Sequence, residues 1–215
     1  MPQISKNIII VGTGGFAKEI TFLLSRIENY QLIGYVDDNS DLYGKTILGH
    51  KVLGNTDYLL SLREEYSVVI GVADPKDKKN IYNKLKSNLN LNFPNLIDPS
   101  ALIGLEVEMG FGNVIMANTT FTSSILLGNF NMINIATTIG HDVEIGNYNS
   151  LFPNVNVSGN VKIESKTSIG AGSKIIQDVV VKEGSIVGAG SVVIRDIESK
   201  TKNVGVPTRV IERWE

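Results

Sequence analysis

A six-residue repeat of apolar positions runs without interruption from Ala101 to Asp196. Two residues before most of the large apolar residues lies a small or β-branched side chain, such as Val107, Thr119 or Ser173. The large residues occupy sixteen positions: Ile103, Met109, Ile115, Phe121, Leu127, Ile133, Ile139, Ile145, Leu151, Val157, Ile163, Ile169, Ile175, Val181, Val187 and Val193. An amphipathic helix would repeat at three and four residues, and a β-sandwich would show turn clusters at irregular spacings of about 8–12 residues. The repeat therefore predicts an all-β, triangular parallel β-helix with three hexads per turn.

The residues before the repeat show a different pattern, in which short apolar runs alternate with amphipathic helices. The pattern predicts strands at 8–11, 32–36, 67–72 and 92–96, and helices at 16–26, 56–63 and 76–89. This alternation is typical of a small parallel α/β sheet, here of about four strands. The segment Ile97-Asp98-Pro99-Ser100 is the predicted hinge, because proline cannot donate a ladder hydrogen bond. We therefore divide the chain into a Rossmann-like α/β domain at residues 1–97 and a β-helix domain with a C-terminal tail at residues 98–215.

A glycine-rich loop, Gly12-Thr13-Gly14-Gly15-Phe16-Ala17, follows the first predicted strand and approximates the phosphate-binding pattern G-x-G-x-x-G/A. Asp37 and Asp38 end the second predicted strand, where a carboxylate can bind a ribose hydroxyl. An NAD-dependent dehydrogenase would need a second mononucleotide-binding half, which so small a sheet lacks. We predict that the loop and the two aspartates hold a single nucleotide; a purely structural glycine turn is the alternative.

Composition narrows the functional classes. The chain has 215 residues with 20 Lys and Arg and 22 Asp and Glu, and its basic residues are dispersed, which argues against nucleic acid as a partner. It contains no cysteine, which excludes disulfides and thiolate metal sites and agrees with a reducing compartment. The polar segment Met1–Lys6 precedes an apolar run of only four residues, too short for a signal or membrane helix. These features predict a cytoplasmic protein.

Parallel β-helices with this period include acyltransferases, zinc carbonic anhydrases and ice-binding proteins. A zinc site of the carbonic anhydrase kind needs three histidines, whereas the repeat contains only His141 and the first domain only His50. We therefore expect no metal. Ice binding would need a regular threonine ladder on one face, and the outward positions here are mixed.

His141 follows the inward Ile139 by two residues and is expected to point outward at a corner. A solvated surface histidine is the alternative to a functional one. With three hexads per turn, residues eighteen apart are expected to stack at one corner, which would align Ser123, His141, Gly159, Gln177 and Arg195. The small residues Gly159, Ala171 and Ala189 are expected to leave a groove beside the histidine. Such a groove would suit an extended ligand such as a pantetheine arm.

Several segments, in this order, resemble the bacterial nucleotide-sugar N-acetyltransferases, a family that also includes sialic acid O-acetyltransferases. The segments are Gly12–Glu19, Val36–Asn39, the repeats that hold Asn134 and Ile139–Gly146, and Gly205–Ile211. The resemblance covers nearly the whole chain. It implies a left-handed β-helix, a homotrimer, acetyl-CoA between neighbouring prisms and a sugar nucleotide held by the α/β domain.

The resemblance also implies roles for individual residues. His141 corresponds to the catalytic base and Asp142 to the carboxylate that orients it. The positions implied to contact acetyl-CoA are Asn134, Ser150, Gly159, Ala171 and Ala189. Those implied to contact the sugar nucleotide are Gly12, Thr13, Gly14, Gly15, Phe16, Asp37 and Asp38. Phe16 and Ser150 replace histidines of the family; Phe16 bears on the identity of the acceptor, whereas Ser150 retains a hydrogen-bond donor.

The expected function is acetyl-CoA-dependent N-acetylation of a nucleotide-linked amino sugar for bacterial surface polysaccharide or glycan synthesis. An O-acetyltransferase for sialic acid or another sugar is the first alternative, because the same base would serve it. Asp37 and Asp38 favour the nucleotide, since two carboxylates would repel an acidic sugar. A non-catalytic trimeric scaffold that binds a nucleotide sugar is the second alternative. Phe111 and Ile135, apolar residues expected at outward corners, also favour a homotrimer.

Overall fold

A computed structural model describes residues 5–215, which form two compact units. The first unit extends to Ala73 and includes 77–96, and the second comprises 74–76 and 97–215. The division after Leu96 falls one residue before the boundary placed from the sequence. The start of the polar N-terminal segment, residues 1–4, lies outside the described residues.

The first unit is an α/β sheet whose central strands carry the apolar runs of the sequence. Its elements are β1 (Lys6–Val11), α1 (Gly15–Leu24), β2 (Tyr30–Val36), a 3-10 helix (Ser40–Leu42), β3 (Thr46–Ile47), β4 (His50–Gly54), α2 (Thr56–Ser61), β5 (Tyr66–Ile70), α3 (Pro75–Leu85) and β6 (Leu91–Asn92). The strand order is β3-β4-β2-β1-β5-β6. β1 pairs in parallel with β2 and β5, and Ile8, Ile9 and Ile10 are completely buried, as expected of a parallel strand covered on both faces.

The prediction of about four strands was wrong, because the sheet has six. β3 and β4 form an antiparallel hairpin at the edge beside β2, with Ile47 opposite His50. The sequence did not reveal the hairpin because β3 has only two residues and Gly49 gives the segment the character of a loop. His50 begins β4. The predicted strand at 92–96 is two short strands, β6 and β7 (Leu96–Ile97).

The second unit is a left-handed parallel β-helix, which confirms the fold predicted from the hexad repeat. Its strands after β7 are β8 (Leu102–Met109), β9 (Val114–Ile115), β10 (Thr120–Leu127), β11 (Met132–Ile133), β12 (Thr138–Ile139), β13 (Glu144–Ile145), β14 (Ser150–Leu151), β15 (Asn156–Val157), β16 (Lys162–Ile163), β17 (Ser168–Ile169), β18 (Lys174–Ile175), β19 (Val180–Val181), β20 (Ile186–Val187), β21 (Val192–Val193), β22 (Thr201–Val204) and β23 (Arg209–Arg213). The large apolar residues form one core, except in the edge strand β8, where Ile103 is 39% exposed and Met109 is only partly buried.

The strands stack as three faces of a prism. The first face contains the first halves of β8 and β10 with β12, β15, β18 and β21. The second contains the second halves of β8 and β10 with β13, β16 and β19. The third contains β7, β9, β11, β14, β17, β20, β22 and β23. Residues that stack in neighbouring coils are eighteen apart, as Ile139 and Val157 are.

Each corner is made by a residue in the left-handed backbone region, three positions after the large apolar residue. From Glu106 to Gly190 every such residue has a φ between +54° and +73°. Glycine, asparagine and aspartate adopt this conformation at the lowest cost. Asp142, with a φ of 57°, is one of these corner residues.

The third face has an asparagine ladder at the inner position that elsewhere holds small or β-branched residues. Asn113, Asn131 and Asn149 are completely or almost completely buried. The backbone N–H and the Nδ2 of Asn131 donate to Asn113 Oδ1 at 2.8 and 3.1 Å. Asn131 Nδ2 also donates to the carbonyl of Gly146 at 2.9 Å. These bonds satisfy the Asn131 amide, which would otherwise be costly to bury.

Candidate active site

His141 lies at the corner where the first face turns into the second, between β12 and β13. The side chains of His141 and Asp142 are 66% and 60% exposed, and His141 Nδ1 lies 2.7 Å from Asp142 Oδ2. An ionised carboxylate only accepts hydrogen bonds, so Nδ1 carries the proton and Nε2 is left as an acceptor. The pair therefore presents a proton-accepting nitrogen to solvent.

The His141 ring lies against Gly159 in the next coil. A Cβ atom at position 159 would be 2.5 Å from both Cε1 and Nε2 of the imidazole. Any other residue at this position would therefore displace the ring. In addition, Asn160 N donates to the His141 carbonyl at 2.8 Å and fixes the two coils together. The structure thus brings His141, Asp142 and Gly159 together.

We call the corner between the first and second faces the His141 corner. The outermost residues of its successive coils stack in one column. Its members are Ser123, His141, Gly159, Gln177 and Arg195, aligned by the strand registers of the first face. The imidazole of His141 points toward the C-terminal coils, because its Cε1 and Nε2 atoms lie over Gly159.

Ala171 and Ala189 lie on a different corner, contrary to the expectation of one groove beside the histidine. They follow β17 and β20 and therefore occupy the corner between the third and first faces, which we call the Ala171 corner. Ala171 is twelve residues after Gly159 and therefore cannot share its corner, because stacked positions are eighteen apart. A groove formed by Gly159, Ala171 and Ala189 within a single chain is ruled out by this geometry.

Asn134 and Ser150 also belong to the side of the prism away from the His141 corner. Asn134 follows β11 on the third face, is 3% exposed, and accepts a hydrogen bond at Oδ1 from Ile135 N at 2.6 Å. Ser150 opens β14 on the same face and has no exposed surface. The structure therefore does not bring either side chain to His141 of the same chain.

The glycine loop of the first unit is tied to the end of β2. Thr13 Oγ1 donates to Asp37 Oδ2 at 2.7 Å, and Asp37 Oδ1 accepts from Asn39 N at 3.0 Å. Gly12 needs its left-handed φ of 95°, whereas Gly14 has an ordinary φ of −69°. A Cβ on Gly14 would meet no atom within 4 Å, so its backbone is open to a ligand. Phe16, by contrast, is 9% exposed in the core, so its side chain does not face that opening.

Asp38 is held by the start of α2. Its Oδ1 accepts hydrogen bonds from Thr56 N and Thr56 Oγ1, both at 2.9 Å. Partial burial raises the pKa of Asp38, but the Thr56 hydrogen bonds and the Lys84 charge outweigh it, and the pKa lies below its ordinary value. Asp38 is therefore an anion that also anchors β2 to α2.

A pocket of about 320 Å³ opens beside the glycine loop. Its lining residues are Val11, Gly12, Asp37, Asp38, Thr56, Val72, Asp77, Asn80 and Ile81. It brings together Gly12, Asp37 and Asp38, and adds Thr56, Asp77 and Asn80, which the sequence analysis did not identify. Thr56 was missed because the hairpin that leads to α2 was not predicted. The described lining contains three carboxylates and no cation.

A larger groove of about 660 Å³ runs along the second face, and His141 does not line it. Its floor contains Gly110, Gly128 and Gly146, and an ion pair of 3.0 Å joins Lys162 and Glu144 at its wall. We assign no catalytic role to this groove, because the imidazole base lies at the adjacent corner.

Two further observations concern the described part of the chain only. Within residues 5–215, no group of three or more histidine, aspartate or glutamate side chains is arranged to hold a metal ion. No helix in that range is long and apolar enough to cross a membrane.

Residues 7–85 match the family model described as the PglD N-terminal domain. Among solved structures, the chain is similar to WeeI from Acinetobacter baumannii AYE, with 28% identity and a TM-score of 0.87 over 96% of this chain and 100% of that one. It is similar to PerB from Caulobacter crescentus in complex with CoA and GDP-perosamine, with 26% identity and a TM-score of 0.87 over 97% and 98%.

The chain is also similar to the acetyltransferase domain of PglB from Neisseria gonorrhoeae FA1090 in complex with acetyl coenzyme A. The identity is 26% and the TM-score 0.86, over 96% of this chain and 100% of that chain. A comparison with curated protein sequences finds no match. The structural likeness spans both units, in the order in which the sequence places them.

Proposed function

We propose that this chain, which belongs to the nucleotide-sugar N-acetyltransferases built on a left-handed β-helix, transfers the acetyl group of acetyl-CoA to the amine of a nucleotide-linked amino sugar. The observation that carries the proposal is the His141–Asp142 pair, held at 2.7 Å on an open corner with Nε2 available as a proton acceptor. The CoA and GDP-perosamine of the PerB complex and the acetyl coenzyme A of the PglB complex support it.

His141 and Asp142 together can accept and return the protons that move during acetyl transfer. The amine nitrogen of the sugar attacks the thioester carbonyl carbon, and His141 Nε2 accepts the proton that the amine loses. The carbon–sulfur bond then breaks, and the imidazolium returns the proton to the leaving sulfur, which gives an amide and free CoA. Asp142 holds the Nδ1 proton throughout and stabilises the imidazolium. A backbone N–H at the corner would stabilise the oxyanion.

The residues that the family resemblance implies for acetyl-CoA binding lie at two different corners of the prism, and this arrangement supports a homotrimer. Gly159 lies at the His141 corner, whereas Ala171 and Ala189 lie at the Ala171 corner, and the first face separates the two. If the His141 corner of one copy faces the Ala171 corner of the next, one extended ligand can contact Gly159 of the first copy together with Ala171 and Ala189 of the second. This is a heterologous interface, in which two different surfaces meet, and its repetition can close a ring. Three copies would suit the triangular prism.

Apolar side chains support the same assembly. Ile176 and Ile194 on the first face are 41% and 42% exposed, in the region that such a ring would cover. Phe111 and Ile135 are weaker support than the sequence suggested. Phe111 is 42% exposed but packs edge-to-face on Phe130, and Ile135 is already half-buried.

The acidic pocket of the first unit favours a nucleotide-linked amino sugar over a sialic acid. Asp37, Asp38 and Asp77 line it, and carboxylates accept hydrogen bonds from ribose or base donors but repel an acidic sugar. We therefore place the sugar nucleotide at this pocket and at the glycine loop. Synthesis of surface polysaccharide or glycan in the cytoplasm is the pathway and location we propose for the reaction.

The test is release of free thiol from acetyl-CoA with a panel of nucleotide amino sugars, their hydroxy analogues, and free and CMP-linked sialic acid. Thiol release with an amino sugar nucleotide, together with mass-spectrometric detection of the acetamide, is the expected result. Transfer only to hydroxyl acceptors would establish the O-acetyltransferase instead. Nucleotide-sugar binding with no thiol release from any acceptor would establish a scaffold and overturn the proposal.

A further inference from the structure

The His141 corner extends beyond the histidine toward the C-terminal end of the β-helix. In successive coils its outermost residues are His141, Gly159, Gln177 and Arg195. Because Nε2 of His141 lies over Gly159, the reactive nitrogen is on the side of the ring that faces Gln177 and Arg195. A linear substrate whose reacting carbon reaches Nε2 can therefore lie along these residues.

The length of the corner matches the arm of acetyl-CoA. Three coils separate His141 from Arg195, a Cα separation of about 14 Å at about 4.8 Å per stacked strand. The pantetheine arm has about thirteen bonds between its sulfur and the first phosphorus, and spans about 15 Å at the reach per bond of an extended peptide. With the thioester at His141, the first phosphate therefore arrives at Arg195.

Arg195 is the one permanent cation at this corner in the described chain. The flanking positions toward the first face are Gly140, Ser158, Ile176 and Ile194, and those toward the second face are Asp142, Asn160, Asp178 and Asp196. Arg195 is exposed, and no ion pair or hydrogen bond joins its side chain to another residue of 5–215.

The acidic neighbours of Arg195 are occupied by other donors. Asp178 Oδ1 accepts from Asn160 Nδ2 at 2.7 Å, and Asp196 Oδ1 accepts from Val180 N at 2.9 Å. Since neither carboxylate pairs with Arg195 in the described chain, the guanidinium is available to an external anion. The half-exposed Ile176 and Ile194 provide apolar surface next to Arg195. A ligand with an apolar arm and an anionic end needs such a combination.

We propose that Arg195 binds the diphosphate of acetyl-CoA and positions the coenzyme along the His141 corner, an inference that rests on the proposed acetyl transfer. A guanidinium donates paired hydrogen bonds to phosphate oxygens, which gives orientation as well as affinity. The chain has a net charge of −2, so a polyanionic cosubstrate needs a local cation of this kind. Arg195 is a positioning residue, since it contacts the phosphate end and not the reacting atoms.

The test compares Arg195→Gln with wild type on two acetyl donors that differ only in the phosphate-bearing end. With acetyl-CoA, the variant should raise KM about tenfold and leave kcat nearly unchanged, as expected for a lost charge-assisted hydrogen bond. With S-acetylpantetheine, which has the same thioester and arm but no diphosphate or nucleotide, wild type and variant should have the same kcat/KM. Added salt should raise the wild-type KM for acetyl-CoA and affect the variant less.

Lys162→Gln is the matched control, because it removes one exposed positive charge from the second face, away from the His141 corner. It should leave KM for acetyl-CoA unchanged. Arg195→Lys should recover part of the lost affinity. An unchanged KM for acetyl-CoA in Arg195→Gln, or an equal loss with both donors, would overturn the inference. Absence of transfer in wild type would instead overturn the proposed function.

Discussion

His141 and Gly159 are in contact across two coils of the β-helix. Three atoms of the imidazole lie within 3.0 Å of the place where a Cβ on Gly159 would stand. Glycine is required here for space and not for conformation, because Gly159 is absent from the glycines with a left-handed φ. The position of the imidazole that we propose as the base therefore depends on the absence of a side chain at residue 159, one coil away.

Gly159→Ala should displace the imidazole and lower kcat about 10- to 100-fold, because a small misplacement of a reacting group is enough to cost that much. The melting temperature should change little, since alanine fits the backbone and the ring can move into solvent. Steady-state kinetics and thermal unfolding measure the two effects.

Gly184→Ala provides the matched control. Gly184 has a left-handed φ of 70° and lies at the corner between the second and third faces. Its replacement should lower stability by about 1 kcal/mol without a loss of turnover. Normal turnover in Gly159→Ala would show that the ring position is not critical.

His141→Ala should lower kcat by about 10² to 10⁴, because it removes the proton acceptor. The melting temperature should be nearly unchanged, since the His141 side chain is 66% exposed. His50→Gln, which alters the other histidine, should retain wild-type turnover. Full activity in His141→Ala would make the histidine an ordinary surface residue.

Gly14→Val should raise KM for the sugar nucleotide and leave KM for acetyl-CoA unchanged. The valine side chain would occupy the open space over the glycine loop, and the φ of −69° imposes no strain on it. Gly12→Val, at a φ of 95° with Val72 Cγ2 3.1 Å from the new Cβ, should instead destabilise the fold. If Gly14→Val changes both KM values equally, the loop is a structural turn.

Asp38→Asn should reduce stability near neutral pH and have less effect in acid. The pKa of Asp38 is below its ordinary value of 3.8, so the unfolded state binds more protons than the folded state. The stabilisation is therefore present above about pH 4 and is lost as pH falls through the lowered pKa. We expect a difference below about 1 kcal/mol, because solvent screens this exposed carboxylate.

The measurement for Asp38 is the free energy of unfolding of both proteins, without ligand, at several pH values between about 3 and 7. The difference between them should shrink toward the acid end. A difference that stays constant with pH would show that the Asp38 charge does not contribute.

The assembly should have three times the 23.4 kDa mass of one chain in light scattering at micromolar concentration. Ile176→Glu should weaken it, because it places a charge on the apolar part of the first face. A monomer mass for the wild type would contradict the homotrimer.

Mixing two inactive variants tests whether each site is shared between copies. His141→Ala removes the base from one corner, and Ala189→Trp should block the other corner. If the two corners come from different chains, co-expressed variants form some sites with both corners intact, and activity should return. No recovery in verified mixed assemblies would place the whole site in one chain.

The sequence alone determined the β-helix, because a period of six has few structural solutions and the large residue of each hexad must be buried. It also located the glycine loop, since the apolar run of β1 ends at Val11, directly before Gly12. It did not reveal the hairpin of β3 and β4, because β3 has only two residues and carries too little periodicity to be recognised. Nor did it reveal the asparagine ladder. Single asparagines in a repeat are typical of turns, and only the structure shows that Asn113 and Asn131 are hydrogen-bonded to each other across neighbouring coils.

The period predicts that His141 and Gly159, eighteen residues apart, share a corner, but the tertiary structure was needed to place Ala171 and Ala189 on a different one. Small residues at Gly159, Ala171 and Ala189 look equivalent along the chain, yet Ala171 is offset from Gly159 by twelve residues and lies across the first face. Stacking three hexads per turn brings together residues eighteen apart and separates those that are not. For that reason the contact of His141 with Gly159, and the approach of Asp142 Oδ2 to Nδ1 through a left-handed corner, are properties of the coil and not of the local sequence.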